Sequence, residues 1–318
     1  MRPHDPDPPE ESELARAARE LLGASAVPLA GGYSGETYLV AVAGEEVVLR
    51  LYLERPERAA VDAALHRLVR GLLPVPRVLD ANVVAVPDAP AHLLFERLPG
   101  IRLEQFLDDP AVDASRRRRA GEEAAVQLAR LSGMPFLRAG LFDGPDLTVR
   151  PLPSGGLEQW TQAHRERGHL AEWSGADLAR LLDVATAAQV LLDSGDRVCL
   201  CHSDFNAKNV LVDPATGAIT GLVDWEYAHA GMPHADLGNL LRFETDEVFG
   251  TAVAETYREL VPGGAEGDFL DRARAADLYA LIDLAARPAA NRITRQADEL
   301  LLRIARDGDL AGGRPRWA

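Results

Sequence analysis

The pattern of apolar positions divides the chain into a strand-rich first part and a helix-rich second part. In the first part, short apolar runs are separated by Gly-rich or charged turns, which is typical of antiparallel strands. This pattern predicts three strands within Val27–Leu53 and two more at Val78–Pro87 and His92–Leu98. Apolar residues recur at helical spacing in Glu13–Leu22 and Arg58–Leu72, so a helix is expected in each of these segments.

The second part begins at Leu103, where apolar residues take up helical spacing. Long helices are predicted at Ala114–Leu131, Asp177–Leu192 and Phe269–Arg306. Between the first two helices, the Gly- and Pro-rich segment Leu141–Gly175 fits either a long loop or a short helical insertion with loops. Further short strands are predicted at Val198–Cys201, Val210–Val212 and Ile219–Val223.

Composition indicates an ordered protein and limits its partners. The 318 residues are 47% hydrophobic and 26% charged, as in globular proteins large enough to bury a core. Acidic side chains outnumber basic ones by 49 to 34, and a net charge of -15 disfavours binding to nucleic acid or to an anionic membrane. The arginine run Arg116–Arg119 is therefore expected to form a solvated helix face.

The cysteine spacing indicates a reducing compartment, and the lack of a long apolar run indicates a soluble protein. Cys199 and Cys201 are the only cysteines, and their spacing fits neither a disulfide framework nor the usual zinc patterns. Two buried, reduced thiols are expected. Residues 1–12 are rich in Pro and acid and are expected to form a disordered tail, and the sequence has no long uncharged apolar run. We expect a soluble cytoplasmic protein.

Polar residues between the predicted short strands carry the clearest chemical signal. Asp204 and Asn209 lie in one turn, and Asp224 directly follows the strand that ends at Val223. Such a turn lets one loop present a carboxylate to a substrate and an amide oxygen to a metal ion. Asp224 adds a second hard oxygen ligand of the kind that Mg²⁺ prefers. Phosphoryl transfer needs these groups, because it requires metal ligands for the phosphates and a group that orients the attacking hydroxyl.

The spacing of His202, Asp204 and Asn209 matches the H-x-D-x-x-x-x-N catalytic loop of eukaryotic-type kinases. With Asp224-Trp225-Glu226 in place of the D-F-G of protein kinases, the chain resembles the aminoglycoside phosphotransferase family of antibiotic and metabolite kinases. The resemblance covers nearly the whole chain. It implies an α+β, two-lobed protein-kinase-like fold, with a small antiparallel-sheet N-lobe at residues 13–98 and a larger, mostly helical C-lobe at residues 99–318.

The resemblance implies a role for the polar residues of this loop. Asp204 is expected to be the catalytic base, and Asn209 and Asp224 are expected to hold Mg²⁺. Lys208 is expected to stabilise charge on the transferred phosphoryl group, with a solvated lysine as the alternative.

Three further residues are expected to surround the loop. His202 is predicted to pack beneath it and bond its backbone, and Asp236 resembles the buried family aspartate that accepts hydrogen bonds from the loop backbone. Glu226 has two interpretations of equal weight: contact with a second Mg²⁺ through water, or a solvent-facing acid.

The resemblance also assigns nucleotide binding to the N-lobe. The backbone amides of Ser34 and Gly35, in a Gly-rich turn, are expected to approach the phosphates of ATP or GTP. Arg50 stands where kinases place the phosphate-binding lysine. Its expected partner on the following helix is Asp62, with Glu57 as the competing candidate.

The segment Phe95–Leu98 resembles the inter-lobe hinge, whose backbone groups read the adenine edge. Glu96 and Leu98 are therefore expected to contact the base through their backbone N–H and C=O groups. The side chains do not choose between ATP and GTP, so both donors stay open.

The expected acceptor is a hydroxylated small molecule, most of all an antibiotic modified by a resistance enzyme. Four acidic residues favour a cationic aminoglycoside, although they also promote solubility: Glu158, Glu166, Glu172 and Asp177. Trp160 and Trp173 are candidates to stack on a sugar or nucleoside ring, with a position in the core or in a lid as the alternative. Nucleoside or peptide antibiotics stay open, as do choline, homoserine and thiosugars.

Two other classes of protein are alternatives to a kinase. A catalytically inactive nucleotide-binding protein on the same fold would usually lack one of Asp204, Asn209 and Asp224, and all three are present. A metal-dependent hydrolase would need His clusters or repeated carboxylate pairs, which the sequence lacks. The order of the motifs favours the kinase.

Overall fold

The computed structural model describes residues 26–29, 37–42, 44–85, 90–152, 155–195, 197–261, 269–288 and 291–317. The predicted tail, the helix predicted at Glu13–Leu22 and the turn with Ser34 and Gly35 lie outside these residues. The chain forms two compact units. The first contains the described residues up to Arg70, Val75–Leu98 and Gly144–Leu147, and the second contains the other described residues.

The first unit is built on a five-stranded antiparallel sheet with the order β1-β2-β3-β5-β4. The elements are β1 (Ala26–Pro28), β2 (Thr37–Val42), β3 (Glu45–Tyr52), α1 (Arg58–Val69), β4 (Val78–Asn82) and β5 (Ala91–Glu96). Strand β3 lies in the middle, where Arg50 is opposite Thr37 on one side and Leu93 on the other. The predicted strands and the helix at this position are confirmed.

Both faces of this sheet are covered by apolar side chains. One buried cluster contains Tyr38, Val40 and Leu49, and a second joins Leu93 and Phe95 of β5 to the alanines of α1. The helix ends earlier than predicted, because Gly71 takes up a left-handed φ of 84° directly after it.

The second unit is mostly helical. Its described helices are α2 (Leu103–Asp108), α3 (Ala114–Ser132), α4 (Leu157–His164), α5 (Gly175–Asp193), α6 (Ala235–Leu241), α7 (Glu247–Leu260), α8 (Phe269–Ala285) and α9 (Arg292–Asp307). Side-chain oxygens accept a backbone N–H at the first turn of four of them and so fix their starts. These capping residues are Asp113, Ser174, Asp246 and Asn291.

Two small antiparallel sheets complete this unit, one with the order β11-β10-β6 and one with the order β8-β7-β12-β9. Their strands are β6 (Ile101–Arg102), β7 (Gly140–Asp143), β8 (Thr148–Arg150), β9 (Cys199–Cys201), β10 (Val210–Val212), β11 (Ile219–Leu222) and β12 (His229–Gly231). The strands predicted at β9, β10 and β11 are confirmed. Cys199 and Cys201 are buried free thiols, as predicted.

Some predictions for this unit need correction. The segment predicted to be helical from Phe269 contains two helices, because Pro288 disfavours helix and Asn291 caps a new one. Leu141–Gly175, left open between a loop and a helical insertion, contains the β7–β8 hairpin as well as α4 and a 3₁₀ turn, Gly168–Glu172.

The arginine run at the start of α3 is more than a solvated face. Arg117 donates to Asp246 Oδ2 and to the carbonyl of Leu107, both at 2.6 Å, and Arg116 donates to the carbonyl of Pro214 at 3.0 Å. These two side chains therefore hold neighbouring loops. Arg118 forms only exposed ion pairs, as predicted for a solvated face.

One apolar cluster of this unit is formed by α4, α5, α8 and α9, and Trp160 and Trp173 pack against it. Within the described part of the chain, no helix is long and apolar enough to cross a membrane.

Candidate active site

One buried carboxylate binds the backbone of the loop between β9 and β10. Asp236, in the first turn of α6, accepts the backbone N–H of His202 at 2.8 Å and that of Ser203 at 2.7 Å. Burial raises the pKa of Asp236, while the two backbone hydrogen bonds and His202 oppose this rise. Asp236 thus lies where the resemblance places the aspartate that supports the loop.

His202 uses both ring nitrogens to hold the same loop. Its Nε2 lies 3.1 Å from the carbonyl of Val223, and its Nδ1 accepts the backbone N–H of Asp204 at 3.3 Å. A carbonyl can only accept, so Nε2 carries the ring proton and Nδ1 does not. The ring packs between Phe205 and Trp225. These contacts fit the scaffold role predicted for His202.

The carboxylate of Asp204 is bound by three donors from its own loop. Oδ1 accepts a hydrogen from Asn206 Nδ2 at 2.6 Å, and Oδ2 accepts one from Asn209 Nδ2 at 2.6 Å. The ammonium of Lys208 lies 3.2 Å from Oδ2. Short hydrogen bonds of this kind fix the orientation of the carboxylate. The loop therefore presents an oriented anion, as a general base requires.

Asn209 and Asp224 are brought together by the pairing of β10 with β11. Val210 is opposite Leu222, and the backbone N–H of Val223 donates to the carbonyl of Asn209 at 3.0 Å. Asp224 is the next residue and has a left-handed φ of 66°, which is uncommon outside glycine and frequent at functional sites.

The donor set of these two residues fits a magnesium ion. Asp224 offers carboxylate oxygens and Asn209 an amide oxygen, both hard ligands that suit Mg²⁺. Both hydrogens of the Asn209 amide are used by Asp204, whereas no described residue donates to its oxygen. The described residues contain no group of three or more His, Cys, Asp or Glu side chains arranged as a metal site. A site of two protein ligands is usual for Mg²⁺ held together with phosphates.

Burial and three carboxylates near the loop raise the pKa of the Tyr227 hydroxyl. Burial, followed by the charge of Glu226, raises the pKa of Tyr227, and Asp204 and Asp224 act in the same direction. The two predicted reactive carboxylates and Glu226 therefore lie close enough to share an electrostatic environment. The side chain of Trp225 between them is buried and donates to the carbonyl of Leu222 at 3.2 Å.

In the first unit, Arg50 and Asp62 meet at Tyr52. The guanidinium of Arg50 lies 5.5 Å from the centre of the Tyr52 ring, and the Tyr52 hydroxyl donates to Asp62 at 2.8 Å. Burial and the nearby Asp62 raise the pKa of Tyr52. Asp62 also accepts a hydrogen from Arg58 at 3.1 Å, and Glu57 is exposed at the start of α1. Of the two predicted partners, the buried Asp62 is the one that shares a neighbour with Arg50.

The two residues expected in the hinge, Glu96 and Leu98, differ in the hydrogen bonding of their backbone N–H groups. The backbone N–H of Glu96 donates to the carbonyl of Arg77 at 3.0 Å and is therefore not available to a nucleotide. Burial raises the pKa of Glu96, but the bonds from Arg77 outweigh it, and the pKa is lowered overall. No described residue accepts a hydrogen bond from the backbone N–H of Leu98.

Three of the six residues suggested for the acceptor are engaged elsewhere. Asp177 forms an ion pair with Arg306 and accepts a hydrogen from Ser174. Trp160 donates to the carbonyl of Tyr279 at 2.9 Å, and Trp173 donates to Asp298 at 2.8 Å.

Both tryptophans are therefore partly buried against the helical core with their indole N–H groups engaged, and Asp177 is held in an ion pair. The remaining acids suggested for the acceptor, Glu158, Glu166 and Glu172, are exposed.

Sequence reasoning missed Asn206 as a partner of Asp204. The signal was present, because a side-chain amide two residues after an aspartate lies within reach of its carboxylate in a tight turn. It was overlooked because the kinase pattern leaves this position open.

A loop that orients a carboxylate beside an amide oxygen and a second carboxylate is typical of one class of enzyme, the phosphotransferases that act on a hydroxyl. The chain belongs to the Phosphotransferase enzyme family, whose sequence profile matches residues 25–276. The predicted family and enzyme class are thereby confirmed.

Individual relatives agree with this assignment. The chain is 28% identical over 244 residues to an aminoglycoside 3'-phosphotransferase of Streptomyces ribosidificus, covering 68% of this chain and 80% of that protein.

Solved structures show the same fold. A thermostable mutant of the aminoglycoside phosphotransferase APH(4)-Ia, in ternary complex with ADP and hygromycin B, has a TM-score of 0.61 at 18% identity, covering 96% of this chain and 100% of that chain. The GDP complex of wild-type aminoglycoside 2'-phosphotransferase-IIIa has a TM-score of 0.63 at 17% identity, covering 90% of this chain and 93% of that chain. The predicted α+β kinase-like fold is confirmed.

Proposed function

We propose that this chain transfers the γ-phosphoryl group of ATP or GTP to a hydroxyl of an aminoglycoside-type antibiotic, with Mg²⁺ as cofactor. The observation that carries the proposal is the carboxylate of Asp204, which is held by Asn206, Lys208 and Asn209. The similarity to an aminoglycoside 3'-phosphotransferase supports the choice of acceptor.

Asp204 is the proposed base, and its Oδ1 is the oxygen better suited to take a proton. Oδ2 is occupied by Asn209 and Lys208, whereas Oδ1 accepts a hydrogen bond from Asn206 alone. In the proposed step the acceptor hydroxyl oxygen forms a bond to the γ-phosphorus. The bond from that phosphorus to the β,γ-bridging oxygen breaks, the hydroxyl proton passes to Oδ1, and the nucleoside diphosphate keeps the bridging oxygen.

Asn209 and Asp224 would hold Mg²⁺, through the amide oxygen and the carboxylate. When bound, the ion neutralises charge on the nucleotide phosphates. Lys208, whose ammonium lies 3.2 Å from Asp204, is proposed to add positive charge beside the transferred group. Glu226, half-buried next to Trp225, is proposed to support the ion through water.

Residues of the first unit are proposed to bind the nucleotide. Arg50 would bind phosphate oxygens, with Asp62 setting its orientation through Tyr52. The backbone carbonyl of Glu96 and the N–H of Leu98 would contact the base.

The amides of Ser34 and Gly35, outside the described residues, are proposed to contact the phosphates. The relatives' complexes with ADP and with GDP support both nucleotide classes as donors.

Two buried free thiols, Cys199 and Cys201, are compatible with a reducing compartment. We therefore propose that the protein acts in the cytoplasm.

The proposal is tested by incubating the protein with Mg²⁺, labelled ATP or GTP and a panel of hydroxylated compounds, and detecting products by mass. The panel contains aminoglycosides, nucleoside and peptide antibiotics, choline, homoserine and a thiosugar. The matched control is each aminoglycoside with its amines acetylated, which keeps the hydroxyls and removes the positive charge.

The expected result is a singly phosphorylated aminoglycoside and little product from the acetylated control. Product from a neutral metabolite alone would contradict the proposed acceptor. Absence of any product with either nucleotide would contradict the proposed reaction.

A further inference from the structure

The residue before the proposed base holds an unusual backbone conformation. Ser203 has a φ of 65°, in the left-handed region that glycine tolerates and residues with a Cβ avoid. Its backbone N–H donates to Asp236 at 2.7 Å. The direction of the chain entering Asp204 therefore depends on keeping Ser203 in this turn.

The side chain of Ser203 supplies a second attachment. Its Oγ lies 2.7 Å from Nδ1 of His229, which is closer than the 3.3 Å between the same nitrogen and the carbonyl of Tyr227. Neither His229 nor this hydrogen bond belongs to the kinase pattern in the sequence. The bond connects the catalytic loop to β12, 26 positions further along the chain.

The backbone of His229 is fixed on both sides. It pairs with Cys201 of β9 and with Leu141 of β7, so β12 is an internal strand of its sheet. Because β9 leads directly into the catalytic loop, a ring anchored on β12 is well placed to define where that loop begins.

Gly231 leaves room for the imidazole. A Cβ at this position would lie 2.5 Å from Nε2 of His229 and 3.1 Å from Sγ of Cys201, and both distances are too short for an ordinary contact. The backbone of Gly231 does not have a left-handed φ, so the space that its missing side chain leaves, rather than its conformation, requires glycine here. The ring is thus held edge-on between Gly231 and Ser203.

Burial lowers the pKa of His229, against weaker opposing effects of the Tyr227 carbonyl and Asp236. A neutral imidazole has one nitrogen that accepts a hydrogen bond. The bond between Ser203 and His229 forms in either tautomer: Nδ1 accepts from the hydroxyl when Nε2 carries the ring proton, and Nδ1 donates to Oγ when it carries the proton itself.

We infer that Ser203 and His229 form a hydrogen-bonded clamp that holds the left-handed turn before Asp204, and that both are positioning residues for phosphoryl transfer. This inference rests on the proposed function, because it assigns the clamp to the proposed base. Neither residue touches the reacting atoms. Loss of the clamp lets the carboxylate leave its productive orientation, and it leaves the nucleotide ligands in place.

The experiment compares two substitutions of the same ring. His229→Asn keeps a polar atom where Nδ1 lies, whereas His229→Gln moves the amide to the place of Nε2 and leaves Ser203 unbonded. Ser203→Ala removes the hydroxyl from the other side of the bond. Melting temperatures of all variants identify any that fail to fold.

For His229→Gln and Ser203→Ala we expect kcat to fall about tenfold, the factor that corresponds to about 1.4 kcal/mol in the barrier. The KM for nucleotide should stay within about twofold, because binding groups are untouched. His229→Asn should recover most of kcat. The double variant Ser203→Ala/His229→Gln should be no slower than the slower single one, because both remove one interaction.

A second measurement does not depend on turnover. Hydrogen exchange of the peptide that spans residues 202–209 should be about tenfold faster in His229→Gln than in the wild type, and slow again in His229→Asn. Unchanged exchange in both His229→Gln and Ser203→Ala overturns the clamp, whatever the activity. Faster exchange in His229→Gln and Ser203→Ala, together with a wild type that phosphorylates no acceptor, contradicts the proposed function and leaves the clamp standing. Unchanged kcat in both folded variants overturns the positioning role.

Discussion

The side-chain amide of Asn209 donates both of its hydrogens to Asp204, one to the backbone carbonyl at 2.9 Å and one to Oδ2 at 2.6 Å. The amide oxygen is left for another ligand. One residue therefore links the two proposed halves of the chemistry, because the same amide orients the base and offers an oxygen to the metal ion.

Substitution of the two asparagines that contact Asp204 should separate orientation of the base from binding of the metal ion. Asn206→Ala should lower kcat about tenfold, since one hydrogen bond that orients the base is lost, without a change in Mg²⁺ requirement. Asn209→Ala should lower kcat further and also raise the Mg²⁺ concentration needed for half-maximal rate. Kinetics over a range of Mg²⁺ concentrations measure both effects. An equal Mg²⁺ requirement in the two variants would contradict the ligand role of Asn209.

Asp224→Asn should weaken Mg²⁺-dependent nucleotide binding by about tenfold or more, because an amide replaces an anionic ligand of nearly the same shape. Titration with ATP in the presence and absence of Mg²⁺ measures this effect. Asp183→Asn, on the exposed face of α5, is the matched control and should bind as the wild type does. If Asp224→Asn kept the full effect of Mg²⁺ on affinity, another residue would have to hold the ion.

Local sequence patterns predicted most of the fold because the large elements are regular. Strand β2 alternates in burial, and long helices such as α3 repeat apolar residues over several turns. The seven-residue α6 and the β7–β8 hairpin carry too short a pattern. They depend on contacts made by other parts of the chain, as when β7 pairs with β12.

A buried ion pair of the second unit provides a test of its stability. Arg242 Nε donates to both oxygens of Asp277 at 3.0 Å, and its Nη2 donates to Oδ1 at 2.6 Å. Asp277→Ala should lower the free energy of unfolding by about 3–5 kcal/mol, because Arg242 would stay buried without its carboxylate. Urea unfolding measures the change. Arg118→Ala, which removes two exposed ion pairs, should change stability little, and an equally small effect of Asp277→Ala would refute this account.

Asp177 should contribute to stability only above acid pH. The hydrogen bonds from Arg306 and Ser174 lower its pKa to about 2, whereas the unfolded chain has a value of about 3.9. A lowered pKa in the folded state gives stability that is present above the unfolded pKa and is lost as the pH falls toward 2. The melting temperature of Asp177→Asn should therefore lie below that of the wild type at pH 6.

This difference should shrink between pH 5 and pH 2, a window set by the two pKa values. Melting curves of both proteins across this range test the assignment. A difference that stayed constant down to pH 2 would show that the carboxylate charge of Asp177 is not responsible for it.

The chemistry of the catalytic loop could be proposed from sequence because its residues are close along the chain. Asp204, Lys208 and Asn209 lie within one turn, and strand pairing extends the pattern to Asp224. The bond between Ser203 and His229 could not be found this way, since it depends on β12 lying beside β9.

The acceptor could not be derived from the loop either, because an oriented carboxylate accepts a proton from any hydroxyl placed against it. For Trp160 the sequence left two positions open, one against a substrate ring and one in the core or a lid. Its ring packs on the helical core, and its indole N–H donates to a backbone carbonyl.

The central claim, that Asp204 is the base of a phosphotransferase, is tested most directly by the turnover of Asp204→Ala with the acceptor that the panel identifies. We predict a fall in kcat of about 10²-fold or more with nucleotide affinity largely retained, while Asp183→Ala turns over at the wild-type rate. Full activity of folded Asp204→Ala would contradict the account.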